Sequence, residues 1–210
     1  MLTIHHLDNS RSERIVWLLE ELGLPYQQQT FMRDKGMAPA AMKAVHPLGK
    51  APILSDDDVV IMESGAIVEY IVNRYGKGRL APAVSSADYP MYLQWLHYAE
   101  GSAMADLLAE VRVRRLAGPE GANTPAVQML VERNTNALKY IDSVLAQTPY
   151  LAGSEFSAAD IMMEFNFSFM DRLPKIDITP YPHIVAWLQR VRARPAYQRM
   201  VAVAAPKVSF

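Results

Sequence analysis

The hydrophobic period of this 210-residue chain changes once, near residue 80, and that change restricts the fold more than any other feature. Before it, short apolar runs alternate with helix-length patterns. Leu2 to Leu7 reads as a strand. Ile15, Leu18, Leu19 and Leu22 then fall at i, i+3, i+4 and i+7, with Gly23 as a left-handed stop. Tyr26 to Phe31 predicts a second strand and Pro39 to Val45 a short helix. Ala51 to Leu54 and Val59 to Met62 flank the polar stretch Ser55-Asp-Asp-Asp58, which predicts an antiparallel hairpin with its three acids in solvent. A helix from Ser64 to about Tyr75 follows, with Ile67, Val68 and Ile71 inward. The order β-α-β-α-β-β-α describes a small sheet with helices packed on it.

Gly76-Lys-Gly-Arg-Leu-Ala-Pro82 interrupts the alternation, and beyond Ser86 every period is helical. Tyr89 to Leu116 predicts one long helix, and Thr124-Pro125 opens another that runs to about Gln147. Ser157 to Arg172, Tyr181 to Arg194 and Pro195 to Ala204 complete the helical half. The expected organisation is an α/β domain over residues 1–80, a linker over 81–88 and an all-helical domain over 89–210. In Phe156-Ser-Ala-Ala-Asp160, Ser157 and Asp160 have capping-box spacing, so Asp160 reads as a folding signal rather than a catalytic acid.

Composition narrows the chemistry. With 50% apolar and 20% charged residues the chain carries enough hydrophobic surface for a folded core. It has no cysteine, so thiol nucleophiles, thiolate–zinc sites and redox Cys pairs are excluded, and any sulfur chemistry must borrow a thiol. Twenty-one basic against 22 acidic residues argue against nucleic acid as a partner. Arg112-Val-Arg-Arg115 and Arg190 to Arg194 spread their charges around helices instead of forming a track. His5 and His6 are neighbours on a strand and point to opposite faces, so they cannot chelate one ion, and no metal is expected. The start has no basic leader with an apolar run, and no segment has membrane-span length, so a soluble cytoplasmic protein is expected.

His46-Pro-Leu-Gly-Lys-Ala-Pro-Ile-Leu54, Glu63-Ser-Gly-Ala-Ile67 and Gly153-x-x-Phe-Ser-x-Ala-Asp160, in that order, give the whole chain a resemblance to the cytosolic glutathione S-transferases. The opening His5-His-Leu-Asp-Asn-Ser-Arg-Ser-Glu-Arg14 is similar to bacterial and fungal branches of that family. The resemblance implies a thioredoxin-like domain followed by a helical bundle, glutathione as co-substrate, an apolar electrophile as second substrate and a two-fold homodimer. It implies transfer of the glutathione thiolate to that electrophile, or reduction of a hydroperoxide or disulfide. The alternative is a non-catalytic binding or regulatory protein on the same fold.

Site residues follow from matching the tripeptide's groups to the chain. Glu63 and Ser64 stand where a strand becomes a helix: the Ser64 hydroxyl and the free N–H groups there suit the γ-glutamyl carboxylate, and Glu63 suits the adjacent ammonium. As plain structure, Ser64 would be a helix cap. By resemblance Pro52 is cis and the Ala51 backbone pairs with the cysteinyl unit as an added strand. Lys50 matches a position near the glycyl end, and His46 is a candidate to help hold that carboxylate, with packing or a loop hydrogen bond as its plain structural role. A free thiol is about 3% ionised at pH 7, and shifting its pKa down by two units requires about 2.7 kcal/mol from donors aimed at the sulfur. Ser10 matches the serine-type position, with Asn9 and Ser12 as alternative donors. The strand offers no tyrosine, which excludes a tyrosine-type mechanism. Tyr98, Met104, Leu108, Arg112 and Arg115 are candidate walls for the electrophile. Glu100 and Ser102 resemble positions near the γ-glutamyl end in dimeric relatives.

Overall fold

The computed structural model describes residues 1–118, 120–173 and 176–206, so the last four residues of the expected helical domain lie outside the described residues. The first half runs β1 (Leu2–Leu7), α1 (Ser12–Leu22), β2 (Tyr26–Phe31), α2 (Met42–Val45), β3 (Ile53–Asp56), β4 (Val59–Met62) and α3 (Ser64–Tyr75). Its sheet has the order β2-β1-β3-β4, with β1 and β2 parallel and the other pairs antiparallel. The second half is helical: α4 (Tyr89–Tyr98), α5 (Ala105–Ala117), α6 (Pro125–Leu145), α7 (Ala158–Met170), α8 (Pro182–Arg192) and α9 (Pro195–Ala204).

Helix α1 explains how the halves join. Ile15, Val16, Trp17, Leu18 and Leu19 are all fully buried, too many consecutive positions for a helix with one wet face. It has the sheet domain on one side and α7 and α9 on the other, so its whole circumference is core. One hydrophobic cluster therefore spans both halves, with Trp17, Trp95 and Trp187 completely enclosed. Fully burying an aliphatic side chain such as Leu18 contributes about 1.5–3 kcal/mol. Gly23 ends α1 at φ 62°, the left-handed stop that its position predicted.

Several expectations change. The hairpin turn is shorter than four residues: Ser55 and Asp56 continue β3, leaving Asp57-Asp58 as the turn with Asp57 at φ 50°. Two-residue alternation puts Asp56 on the face of Leu54, toward α3, so this acid is buried rather than solvated. Tyr75 and Tyr70 donate hydrogen bonds to it, Tyr75 exerting the larger effect, and hold its carboxyl below the ordinary range. Ala51 and Pro52 correspondingly precede β3 instead of opening it. The long helix expected from Tyr89 to Leu116 is broken in pitch by a wider π-helical segment, Ala99–Met104, between α4 and α5.

The capping box at α7 is present. The Asp160 carboxylate accepts the Ser157 N–H at 2.9 Å, and it also accepts from the Leu151 N–H and the Trp187 indole, both at 3.0 Å. Burial pushes its carboxyl upward, and four hydrogen bonds counter that. Asp160 is thus a bolt between α7, α8 and the loop before α7.

Candidate active site

Strand direction alone brings four loops to one edge. β1 and β2 run toward it, β3 starts from it, and β4 returns to it. In register, His5 stands opposite Ile53, and Ile53 opposite Met62. Carried two residues further, the same register sets Ala51 between Leu7 and Ser64. The turn after β1 (Asn9 to Ser12), the approach to β3 (Lys50 to Pro52), the β4–α3 junction (Glu63-Ser64) and Arg33 after β2 therefore share an end of the sheet.

The turn after β1 is saturated with hydrogen bonds. The Ser10 Oγ accepts the Ser12 N–H at 3.2 Å and lies 2.7 Å from the Ser12 Oγ, which is itself 2.7 Å from the His6 Nδ1. The Ser10 N–H donates to the Glu13 carboxylate at 3.1 Å, and the Glu13 N–H returns to the Ser10 carbonyl at 3.2 Å. That is a reciprocal cap at the start of α1, on the S-x-x-E spacing of Ser10 and Glu13. Asn9 adopts φ 54°, a conformation Asn tolerates, and its carbonyl accepts from Arg33 while its side-chain oxygen accepts from Arg172. Arg172 continues to Glu13 at 2.7 Å. Burial pushes the Glu13 carboxyl upward, and Arg172 opposes the shift. Arg11, just before α1, and Arg14, in its first turn, both bind Glu100 of the π segment. Arg14 is completely buried, lies 4.8 Å over the Phe165 ring and has its guanidinium pKa lowered by that burial.

The β4–α3 junction is the reverse. Glu63 sits at φ 76°, in the region that costs a non-glycine residue about 1–3 kcal/mol. Its carboxylate is exposed and makes no ion pair among the described residues. Ser64 is buried, and its hydroxyl oxygen has no hydrogen-bond partner. The Ser64 hydroxyl thus stands beside the unpaired N–H groups of the first turn of α3. The Ala51–Pro52 peptide is cis, as the resemblance implies.

A cavity of about 610 Å³ opens between the halves beside this edge. Asn9, Ser10, Lys50 and Ala51 line it from the sheet domain; Met104, Leu108 and Arg112 line it from the helical half, as anticipated, with Val111, Phe165 and Phe169 added. Ser12, fully buried, lies behind Ser10 rather than on the wall, and among the described residues no tyrosine lines the cavity. Tyr98 and Arg115 are not on it either: Tyr98 packs edge-on against Trp95 at 5.4 Å. His46 is also off the wall, its Nδ1 accepting the Leu48 N–H at 3.3 Å, a bond internal to its loop. Glu100 is occupied by Arg11 and Arg14, and Ser102 is exposed.

Sequence reasoning missed Glu13, Arg33 and Arg172. The Ser10–Glu13 spacing was a usable signal for the first; nothing local marks the other two, which reach the turn across 24 and 163 residues.

The family model for the glutathione S-transferase N-terminal domain matches residues 4–79, and that for the C-terminal domain matches residues 104–195. Glutathione S-transferase 3 of Schizosaccharomyces pombe is 37% identical over 99% of this chain and 88% of its own length. Glutathione S-transferase GstB of Escherichia coli is 30% identical over 97% and 99%. The crystal structure of a glutathione S-transferase from Actinobacillus pleuropneumoniae superposes with a TM-score of 0.86, at 31% identity over 97% of this chain and 93% of that one. The sheet order, the cis bond before β3 and these likenesses along nearly the whole length agree: the chain belongs to the glutathione S-transferase family.

Proposed function

We propose that this protein is a glutathione transferase that holds the tripeptide along the sheet edge and delivers its thiolate to an electrophile in the cavity. The observation that carries the reading is the Ser64 hydroxyl, buried and unpartnered beside the free amides of α3. A γ-glutamyl carboxylate is the ligand chemistry that would satisfy both. Glu63 is then placed for the ammonium, the Ala51 backbone for the cysteinyl unit and Lys50 for the glycyl carboxylate, with His46 holding the loop that carries Lys50.

Ser10 is the proposed thiolate donor, chosen over Asn9 and Ser12 by its contacts. Ser12 is sealed behind the wall; Arg172 takes the Asn9 side-chain oxygen, which leaves the Asn9 Nδ2 amide as the competing donor on the cavity wall. Ser10 accepts the Ser12 N–H; when Ser12 also turns its proton toward Ser10, the Ser10 proton is left for sulfur. The His6 tautomer with its proton on Nδ1 would donate to Ser12 and favour that direction along the chain, in competition with the Leu7 carbonyl that the Ser12 hydroxyl reaches at 3.3 Å. The thiol proton leaves to solvent, the thiolate forms a C–S bond, and the leaving group departs with its bonding pair. No serine intermediate forms. Residues 1–80 would supply the glutathione half, 81–88 the linker and 89–210 the electrophile wall, in a homodimer acting in the cytoplasm.

Calorimetric titration of glutathione and a thermal shift test this directly: at 100 times its Kd a ligand adds about 2.7 kcal/mol of stability. Binding heat, a raised Tm and turnover with an activated haloarene are the expected results. Binding without turnover over a panel of electrophiles, hydroperoxides and disulfides would favour a binding module instead.

A further inference from the structure

The cavity wall from the helical half is a single stripe: Met104, Leu108, Val111 and Arg112 fall at i, i+4, i+7 and i+8 along the π segment and α5. The stripe is apolar until its last member. Phe165 and Phe169 continue the apolar floor from α7. A purely apolar second substrate would not need a guanidinium at the end of that stripe.

Arg112 also differs from nearly every other arginine. Arg11 and Arg14 bind Glu100, Arg114 binds Glu110, Arg133 binds Asp106, Arg172 binds Glu13, Arg192 binds Glu164, Arg194 binds Glu21, Arg199 binds Glu20 and Arg74 faces Asp56. Arg33, Arg79 and Arg190 are held by backbone carbonyls. Among the described residues only Arg112 and Arg115 have neither kind of partner, and only Arg112 of those two lines the cavity. Lys43 and Lys50 on the opposite wall also lack an ion pair, and among the described residues no Asp or Glu lines the cavity. A concave site with cations and no compensating acid concentrates anions. Glutathione's glycyl carboxylate accounts for Lys50 and leaves Arg112 and Lys43 unused.

We infer that the second substrate is an electrophile with an apolar, aryl-sized body and a carboxylate, the body lying on Met104, Leu108, Phe165 and Phe169 and the carboxylate meeting Arg112. This rests on the glutathione-site reading above. With a carboxybenzyl halide, the glutathione thiolate forms a C–S bond to the benzylic carbon, the carbon–halogen bond breaks, and halide leaves with the electron pair. The carboxylate stays ionised throughout, so Arg112 binds ground state and product alike and acts on affinity more than on the chemical step.

The test uses product analogues, so turnover is not required. S-(4-carboxybenzyl)glutathione and its benzoate methyl ester are titrated calorimetrically into the full chain and into Arg112→Gln. The acid is expected to bind the native chain about fivefold more tightly than the ester, with the preference shrinking as salt rises. In R112Q the acid-to-ester ratio falls to about one, and Lys43→Gln reduces it less. Equal binding of acid and ester by the native chain, or a preference that survives in R112Q, would overturn the inference while leaving the glutathione site standing. If neither conjugate nor glutathione itself binds, the glutathione-site reading falls and takes this inference with it.

Discussion

Ser10 and Ser64 are both buried serines at a helix start on the same edge of the same sheet, yet their hydroxyls meet opposite surroundings. Ser10 is satisfied by Ser12 and sits in a turn pinned by Glu13, Arg33 and Arg172. Ser64 has no partner, and the residue before it holds a strained backbone. An unmet buried hydroxyl costs about 1–3 kcal/mol, so that end is built at the expense of the free protein and recovers the cost when a ligand arrives. The turn at Ser10 is fixed in advance, as a group must be that aims a donor at a developing charge.

The contrast breaks most visibly where the pinned side depends on charges from the other half of the chain. Glu100→Gln leaves the fully buried Arg14 without a counter-ion, and urea unfolding should show a loss of about 3–5 kcal/mol. Its pH dependence has a definite sign. Burial pushes the Glu100 carboxyl up, but Arg14 and Arg11 together outweigh it and hold it below its ordinary value of 4.5. A lowered folded pKa means the native state binds fewer protons than the unfolded chain in that window. This share of stability is therefore complete above about pH 4.5 and is lost as pH falls toward the folded value. In E100Q that portion of the acid-denaturation curve should be flat; an unchanged slope would assign acid sensitivity elsewhere.

Next in size is the crossed pair of serine variants. Ser10→Ala removes the acceptor for the Ser12 N–H and should cost about 1 kcal/mol of stability. It should also raise the pKa of bound glutathione's thiol by about one unit, equivalent to about 1.4 kcal/mol, read from thiolate ultraviolet absorbance during a pH titration. Ser64→Ala should do the opposite: glutathione affinity falls about tenfold, or about 1.4 kcal/mol, while the ligand-free protein keeps its stability or gains up to about 1 kcal/mol. If S64A unfolds more easily than the native chain without ligand, the hydroxyl is structural and the contrast is wrong. The thiolate measurement on Asn9→Ala is the smallest expected effect and separates it from Ser10.

Much of this was readable before the structure. The strand and helix periods gave the order of elements, Gly23 the end of α1, and Ser157 with Asp160 the start of α7, because each depends on residues within one or two turns. The failures share a cause. The three consecutive acids after Ser55 look solvated as a run, yet strand alternation turns Asp56 toward Tyr70 and Tyr75. The π segment, which sets where Glu100 and Met104 point, carries the weak helix-forming pair Gly101-Ser102, but that pair alone does not specify a change of pitch within a continuing helical period.

Periodicity, caps and turn residues act over a few positions, so the sequence by itself determined the two kinds of half, the sheet edge and the candidate loops upon it. Which hydroxyl would be satisfied and which left open, that Glu13 would face Arg172 and Arg14 would face Glu100, and that Arg112 would stand unpaired at the cavity, were decided only when the halves packed. Those outcomes depend on burial and on charges separated by 86 to 159 residues, and neither is encoded in any local stretch.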